Sequence, residues 1–300
     1  MSKTATAAHA EASAAPAYKN RSRLKETWNS IKTNPGAVVS IVIILIYLLI
    51  LIAGFIFFTE RDVVSIRPKE TFLAPSAAHP FGTDAMGRDL FARIIYGSRY
   101  SLAVGFGAVA IGFVVGVAIG AISGYYGGWT DMIIMRLTDV FSAIPGTLLC
   151  MVFVAMLGPG MKNLMISIGV SCVSGYIRLS RATILSTRGE EYVESARAIG
   201  MPELRIIYTQ VLPNSLSPLI VSTSSRIATC ILSAAGLSFL GFGVPVPLPE
   251  WGALISDGRN YLASAPHLTT FPGIFIMVIT FACALLGDGL RDALDPRLKK

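Results

Sequence analysis

Residues 37–58 read AVVSIVIILIYLLILIAGFIFF, 22 positions without a charge. As an α-helix rising 1.5 Å per residue, this run is about 33 Å long, enough to cross the hydrocarbon core of a bilayer. The pattern repeats along the chain. Residues 100–124 and 270–287 carry no charge, 137–157 carry only Asp139, and 215–240 carry only Arg226. A shorter run, 163–177, can extend through Arg178 and Arg181 into the interface. Six transmembrane helices are predicted. Composition agrees. Of 300 residues 53% are hydrophobic and 14% charged, and the mean hydropathy is +0.62. An ordinary soluble domain has about 25% charged residues.

The net charge of +7 does not suggest nucleic acid, because the basic residues form no single patch. They gather between the apolar blocks. The first 35 residues hold six Lys and Arg, 178–213 hold five and 288–300 hold four. With an even number of spans these three segments share one side, which the positive-inside rule makes cytoplasmic. The predicted division is a cytoplasmic tail over 1–35, a first transmembrane helix over 36–58 and an extracytoplasmic segment over 59–99. A helical core over 100–287 and a cytoplasmic tail over 288–300 complete it. The first 20 residues, rich in Ala, Ser and Thr, read as a disordered tail and not as a signal peptide.

Several chemistries find no support in the sequence. Cys150, Cys172, Cys230 and Cys283 each lie in an apolar stretch, and no two are close in sequence. They read as buried packing residues, neither a disulfide framework nor a CxxC metal site. Residues 105–110 match a dinucleotide fingerprint, but inside an apolar helix with no preceding strand. There is no GxxxxGK[ST] and no HExxH, and the only histidines are His9, His79 and His267. The chain is expected to bind no nucleotide, metal or other cofactor of its own. No inverted repeat is visible, which disfavours a secondary transporter. An intramembrane enzyme would need a catalytic partner for Arg226, and none is evident.

Gly112, Gly116, Gly120 and Gly124 recur every four residues. Such a stripe lets another helix approach closely, or supplies a hinge. Residues 186–213, STRGEEYVESARAIGMPELRIIYTQVLP, predict a helix, a glycine turn and a second helix at the membrane surface. Thr187 and Glu190 read as a capping box, and Gly200 as a left-handed helix end. Pro202 reads as the first residue of the second helix, and Pro213 as its end. Leu204, Ile207, Tyr208 and Val211 are placed on one face of it. Pro145 is expected to bend the third span, and Asp139 to pair with Arg136.

Glu194-Ser195-Ala196, then Gly200, then Leu212-Pro213 resembles the EAA loop of binding-protein-dependent ABC importer permeases. Ser195 stands where that pattern usually has Ala, and Gln210 where it often has Ile. HPFGTDAMGRDL at 79–90, GYYGGWTD at 124–131 and IPG at 144–146 are similar to segments of the dipeptide, oligopeptide and nickel permease group. So are GLSFLGFG with PEWG across 236–252, and GDGLRDALDPRL at 287–298. The resemblance implies an all-α integral membrane protein, with one N-terminal helix before a five-helix permease core and a cytoplasmic coupling-helix hairpin. It implies a bacterial inner-membrane location, a second homologous permease subunit and two ATP-binding subunits that carry ATP and Mg. An extracytoplasmic substrate-binding protein completes the set. The cargo would be di- or oligopeptides, glutathione-like peptides or nickel complexes.

In the fifth span Ser222, Arg226, Thr229 and Ser233 fall on one helical face. A charge near the middle of a span is costly and faces protein or water. The face reads either as lining a translocation path or as a subunit interface in which Arg226 meets a neighbour's carboxylate. Ala234 stands where relatives often carry an acid.

Overall fold

The computed structural model describes residue 28 and residues 30–294. Most of the tail expected over 1–35, and residues 295–300, lie outside the described residues. Among the described residues the regular structure is helical, with one isolated β-bridge between Thr83 and Asp89.

Helix α1 (Pro35–Phe57) starts where Asn34 accepts a hydrogen bond from the Ala37 N–H, with Pro35 already set for a helical φ. It buries Ser40, Tyr47 and Gly54, while Leu49, Phe55 and Ile56 point outward. An apolar face this long is stable against lipid and not against water. The Tyr47 hydroxyl donates to the Phe275 carbonyl at 2.7 Å, so the polar tip of a buried ring is satisfied. The short helix α2 (Glu60–Val64) and a loop follow.

Helix α3 (Leu90–Tyr126) has 37 residues, about 55 Å at helical rise. The helix begins inside the segment expected over 59–99, because Asp89 caps the Ala92 N–H and starts it there. The third predicted span is broken into α4 (Gly128–Ser142) and α5 (Gly146–Leu157), which meet at 86°. Pro145 is the cause. It disfavours helical geometry at Ile144 and brings no N–H to continue α4.

Helix α6 (Met161–Thr187) packs along α3 over the glycine stripe. A Cβ on Gly116 would stand 2.5 Å from the Tyr176 Cβ, and one on Gly120 would stand 2.5 Å from the Ile177 carbonyl oxygen. On Gly112 it would meet the Cys172 Cβ at 2.8 Å, and on Gly124 the Arg181 carbonyl oxygen at 2.8 Å. All four positions meet one partner helix, so the stripe is where two backbones touch.

A helical pair, α7 (Glu191–Ala198) and α8 (Glu203–Ile206), leads through a π-turn (Ile207–Val211) into α9 (Leu212–Phe239). Helix α10 (Trp251–Gly258) is short, and α11 (His267–Leu294) closes the fold. Among the described residues four continuous helical segments are long and apolar enough to cross a membrane: Pro35–Phe57, Leu90–Tyr126, Glu203–Phe239 and His267–Leu294. The bent α4–α5 pair makes a fifth. At 27 residues α6 has the length, but Asn163, Ser167, Ser171, Ser174, Arg178 and Arg181 make it too polar to stand among them.

Candidate coupling hairpin and translocation path

The hairpin over 191–211 is held by backbone geometry. Gly200 has φ +77°, and its N–H donates to the Arg197 carbonyl while the Met201 N–H donates to Ala196. These two bonds form a Schellman closure of α7, with Met201 packed into the same apolar cluster as Ala196. A Cβ on Gly200 would meet nothing within 4 Å, so the demand for glycine there is conformational and not steric.

The start of the hairpin differs from its predicted form. Glu190, in extended backbone, is the N-cap of α7, and Thr187 still belongs to α6. The Thr187 hydroxyl donates back to the Thr183 carbonyl and accepts from Ser215, so it is spent before a capping box can form. Pro202 is the N-cap of α8 and not its first residue. Pro213 does not end the second helix. It is the second residue of α9, where its missing N–H leaves the Thr209 carbonyl without the usual partner. The chain absorbs the mismatch in the preceding π-turn, in which the Leu212 N–H reaches Ile207.

Glu194, Ser195 and Ala196 lie on α7. Ala196 is buried with Val193, while Glu194 and Ser195 face outward, and the Ser195 hydroxyl donates to the Glu191 carbonyl. Val193, Ala196, Ile206, Ile207 and Val211 root the hairpin on Ala121, Tyr125 and Ile184, the adjoining ends of α3 and α6. Leu212 packs into this cluster as well. The predicted single face of Leu204, Ile207, Tyr208 and Val211 is split, because Leu204 and Tyr208 turn outward. With Ile199, 79% exposed, and Tyr208, 67% exposed, they give the hairpin an uncovered apolar tip. Below it, Arg188 donates to the carbonyls of Gly124 and Tyr125, satisfying the end of α3. Arg181 donates to Asp131 at 2.6 Å, and Ser123 donates to the same carboxylate.

On α9 the structure joins two of the four candidate path residues. Arg226 Nε donates to the Ser222 hydroxyl at 3.2 Å. Thr229, one turn on, returns its hydroxyl to the Ser225 carbonyl, and Ser233 is half-buried farther along. Sequence reading missed what lies beneath Arg226. Its guanidinium sits 4.6 Å from the centre of the Tyr176 ring on α6, and a Cβ on Gly175 would come within 2.6 Å of it. The cation therefore lies over a π face in a slot only glycine leaves open. No carboxylate among the described residues pairs with it within 4 Å. Asp139 pairs with Arg178 at 2.9 Å, across to α6, and not with Arg136 on its own helix.

The other end of the molecule is polar and dense. Asp84 accepts from the N–H groups of Met86 and Arg88, from Arg88 Nε at 2.7 Å and from Arg93 Nη1. Arg93 is only 1% exposed. Glu250 caps α10 through the Ala253 N–H and accepts from the Ser101 hydroxyl at 3.0 Å. The neighbouring Trp251 indole donates to Ile94 on α3. Burial raises the Glu250 carboxyl above its ordinary value. A cavity of about 470 Å³ opens beside Asp84, Arg88, Arg93 and Asp257.

Known proteins share these features. Residues 116–300 match the family described as binding-protein-dependent transport system inner membrane component. The chain is 44% identical over 282 residues to the dipeptide transport system permease protein DppC of Alkalihalophilus pseudofirmus, covering 94% of this chain and 92% of that one. It is 45% identical over 225 residues to the glutathione transport system permease protein GsiD of Pectobacterium atrosepticum, covering 75% of each. Among solved structures, an inward-facing MetNI methionine ABC transporter aligns with a TM-score of 0.55 at 17% identity, over 68% of this chain and 97% of that one. That last likeness concerns the fold alone. With the helical spans and the hairpin on α3 and α6, the matches establish that this chain belongs to the inner membrane components of binding-protein-dependent transport systems, the multi-pass permeases of ABC importers.

Proposed function

We propose that this chain is one half of the membrane pore of an ATP-driven importer for di- or oligopeptides. The observation that carries the reading is the closed hairpin between α6 and α9, rooted on α3 and α6 and tipped with exposed Ile199, Leu204 and Tyr208. A rigid knob with an uncovered apolar tip suits a protein partner that moves. Two ATP-binding subunits would supply ATP and Mg, so this chain is no enzyme. ATP-driven closure would shift the pore between outward- and inward-facing states by favouring one of them. A second permease subunit and an extracytoplasmic substrate-binding protein complete the assembly.

Six spans follow if α6 crosses with the five more apolar segments, its polar side held against α3. Both termini are then cytoplasmic, and the division we propose is 1–35, 36–58, 59–99, 100–287 and 288–300. The entry to α1 and the end of α11 support termini on one side, since Asn34 donates to Asp292 and a Cβ on Gly289 would touch Ala37. Cysteines placed at Lys3 and Lys299 should be labelled only after the membrane is opened. Labelling from outside intact cells overturns the topology.

Arg226, uncommitted to any carboxylate among the described residues, suits a cargo with a free C-terminal carboxylate. Uptake of labelled dipeptides by cells expressing the assembled transporter tests the cargo, and no uptake of any peptide refutes it. Similarity to a glutathione permease makes glutathione the second cargo to try.

A further inference from the structure

Helices α6 and α9 are the two elements that the hairpin joins. Two rungs connect them away from that hairpin. One is polar: Arg226 of α9 lies over the Tyr176 ring of α6, and the Tyr176 hydroxyl donates to Thr223 at 3.1 Å. The other, one turn along each helix, is a pair of thiols. Cys172 Sγ and Cys230 Sγ are 3.4 Å apart, and both cysteines are free. Their positions are 58 residues apart in sequence, which is why spacing gave no hint of the pair. Cys230 is buried and Cys172 half-buried, with the Arg226 cation one turn from Cys230. Reactive cysteines occupy partly exposed, electropositive settings of this kind. Cys150 is nearby in the same core, but its thiol is turned to the Ser167 carbonyl.

We propose that Cys172 and Cys230 are a modification site, a reversible disulfide formed by small two-electron oxidants of the peroxide class, and that the closed bond locks α6 to α9. Starting from 3.4 Å, the sulfurs need to approach by about 1.4 Å to reach bonding distance, a side-chain adjustment. The Cys172 thiolate attacks one peroxide oxygen, the O–O bond breaks, and Cys172 becomes a sulfenic acid as the leaving hydroxide takes a proton to form water. The Cys230 thiol then attacks the Cys172 sulfur and gives up its proton to the departing oxygen. The S–S bond forms, the S–O bond breaks, and a second water leaves with the remaining proton. In sum, two thiols and one hydrogen peroxide give one disulfide and two waters. The new covalent loop contains the whole hairpin, so α6 and α9 can no longer shift against each other at this level. If transport requires that shift, oxidation stops the cycle without touching the ATP-binding subunits.

The consequence for the cycle rests on the coupling role proposed above; formation of the bond does not. The test uses the transporter assembled with its partner subunits in lipid nanodiscs, treated with hydrogen peroxide and then with dithiothreitol. Peptide mapping is expected to find the Cys172 and Cys230 peptides linked, with a severalfold fall in ATP hydrolysis that dithiothreitol reverses. Cys172→Ala and Cys230→Ala should each abolish the fall, and Cys150→Ala should leave it. Mapping needs no variant, so a poorly folding mutant does not blunt the test. The absence of the linked peptides overturns the site. Linked peptides with unchanged hydrolysis overturn the lock, as does a fall that persists in Cys172→Ala. Neither readout uses peptide cargo, so both stand if the cargo proves to be something else.

Discussion

The two ends of this molecule are built on opposite principles. The hairpin end is tied down by a glycine turn and a handful of small apolar contacts, with no ion pair between 190 and 212 among the described residues. It leaves Ile199, Leu204 and Tyr208 uncovered. The opposite end buries its charges, with Arg88 and Arg93 on Asp84 and Glu250 capping α10 from inside the protein. Apolar contacts are non-directional and tolerate sliding, whereas buried hydrogen-bonded charges have one good geometry. One end is suited to move with a partner. The other holds α3, α10 and the 66–89 segment as a fixed frame. Mutations at the two ends should therefore have unequal effects.

The largest effect is expected at Asp84. Asp84→Ala strands two guanidiniums, one of them 1% exposed, and opens the turn that Asp84 holds through two backbone N–H groups. Leaving one member of a buried pair costs about 3–5 kcal/mol. The protein should be sharply reduced in the membrane, and what survives should unfold at lower temperature in detergent. Normal yield and thermal stability would show that this end is not the frame.

Gly200→Val should behave differently. A β-branched residue forced to φ +77° costs about 1–2 kcal/mol or more, but no neighbour is displaced. The permease should reach the membrane in near-normal amount and lose co-purification with its ATP-binding subunits together with uptake. Retained association with normal uptake would remove the hairpin from coupling.

How much of this was legible in the sequence depends on the range of the interaction. The spans were readable because a charge-free run is a local property with one cheap environment. Gly200 was readable because a glycine before Pro202 marks a turn locally. Thr187 was misread for the opposite reason, since its hydroxyl is claimed by Ser215, 28 positions away. The bend at Pro145 could be anticipated but not its 86°. The Cys172–Cys230 contact, Tyr176 beneath Arg226 and the Asp139–Arg178 pair all depend on which helices meet, and no local pattern encodes that. The Asp84 centre lies in the 79–90 segment, and Arg88 and Arg93, four and nine residues after Asp84, are its local signal.

Arg226 lies between the two ends and should give a smaller loss of stability. Arg226→Met gives up one hydrogen bond to Ser222 and the contact with Tyr176, about 0.5–2 kcal/mol. Uptake should fall severalfold with heterodimer assembly intact, and Arg226→Lys should keep part of it. If assembly fails first, the residue belongs to a subunit interface. Unchanged uptake sinks both readings.

The smallest effect separates the frame from the hairpin by pH. Glu250 is 1% exposed, and the hydrogen bonds it accepts come from neutral donors, the Ala253 N–H and the Ser101 hydroxyl. Burial raises its carboxyl above the ordinary 4.5, so the folded protein holds this proton to a higher pH than the unfolded chain does. Its contribution is therefore full below the unfolded value and is lost as pH rises through the folded one. Glu250→Gln removes the titration while keeping an oxygen to accept from the Ala253 N–H. Thermal unfolding of wild type and variant, measured in parallel from about pH 4.5 upward, should show the wild type losing ground to the variant as pH rises. A wild-type-minus-Glu250→Gln difference that is flat with pH would mean that the carboxyl is ionised throughout, carried by its hydrogen bonds. The opposite end would then owe its rigidity to hydrogen-bond geometry alone, with no contribution from a held proton.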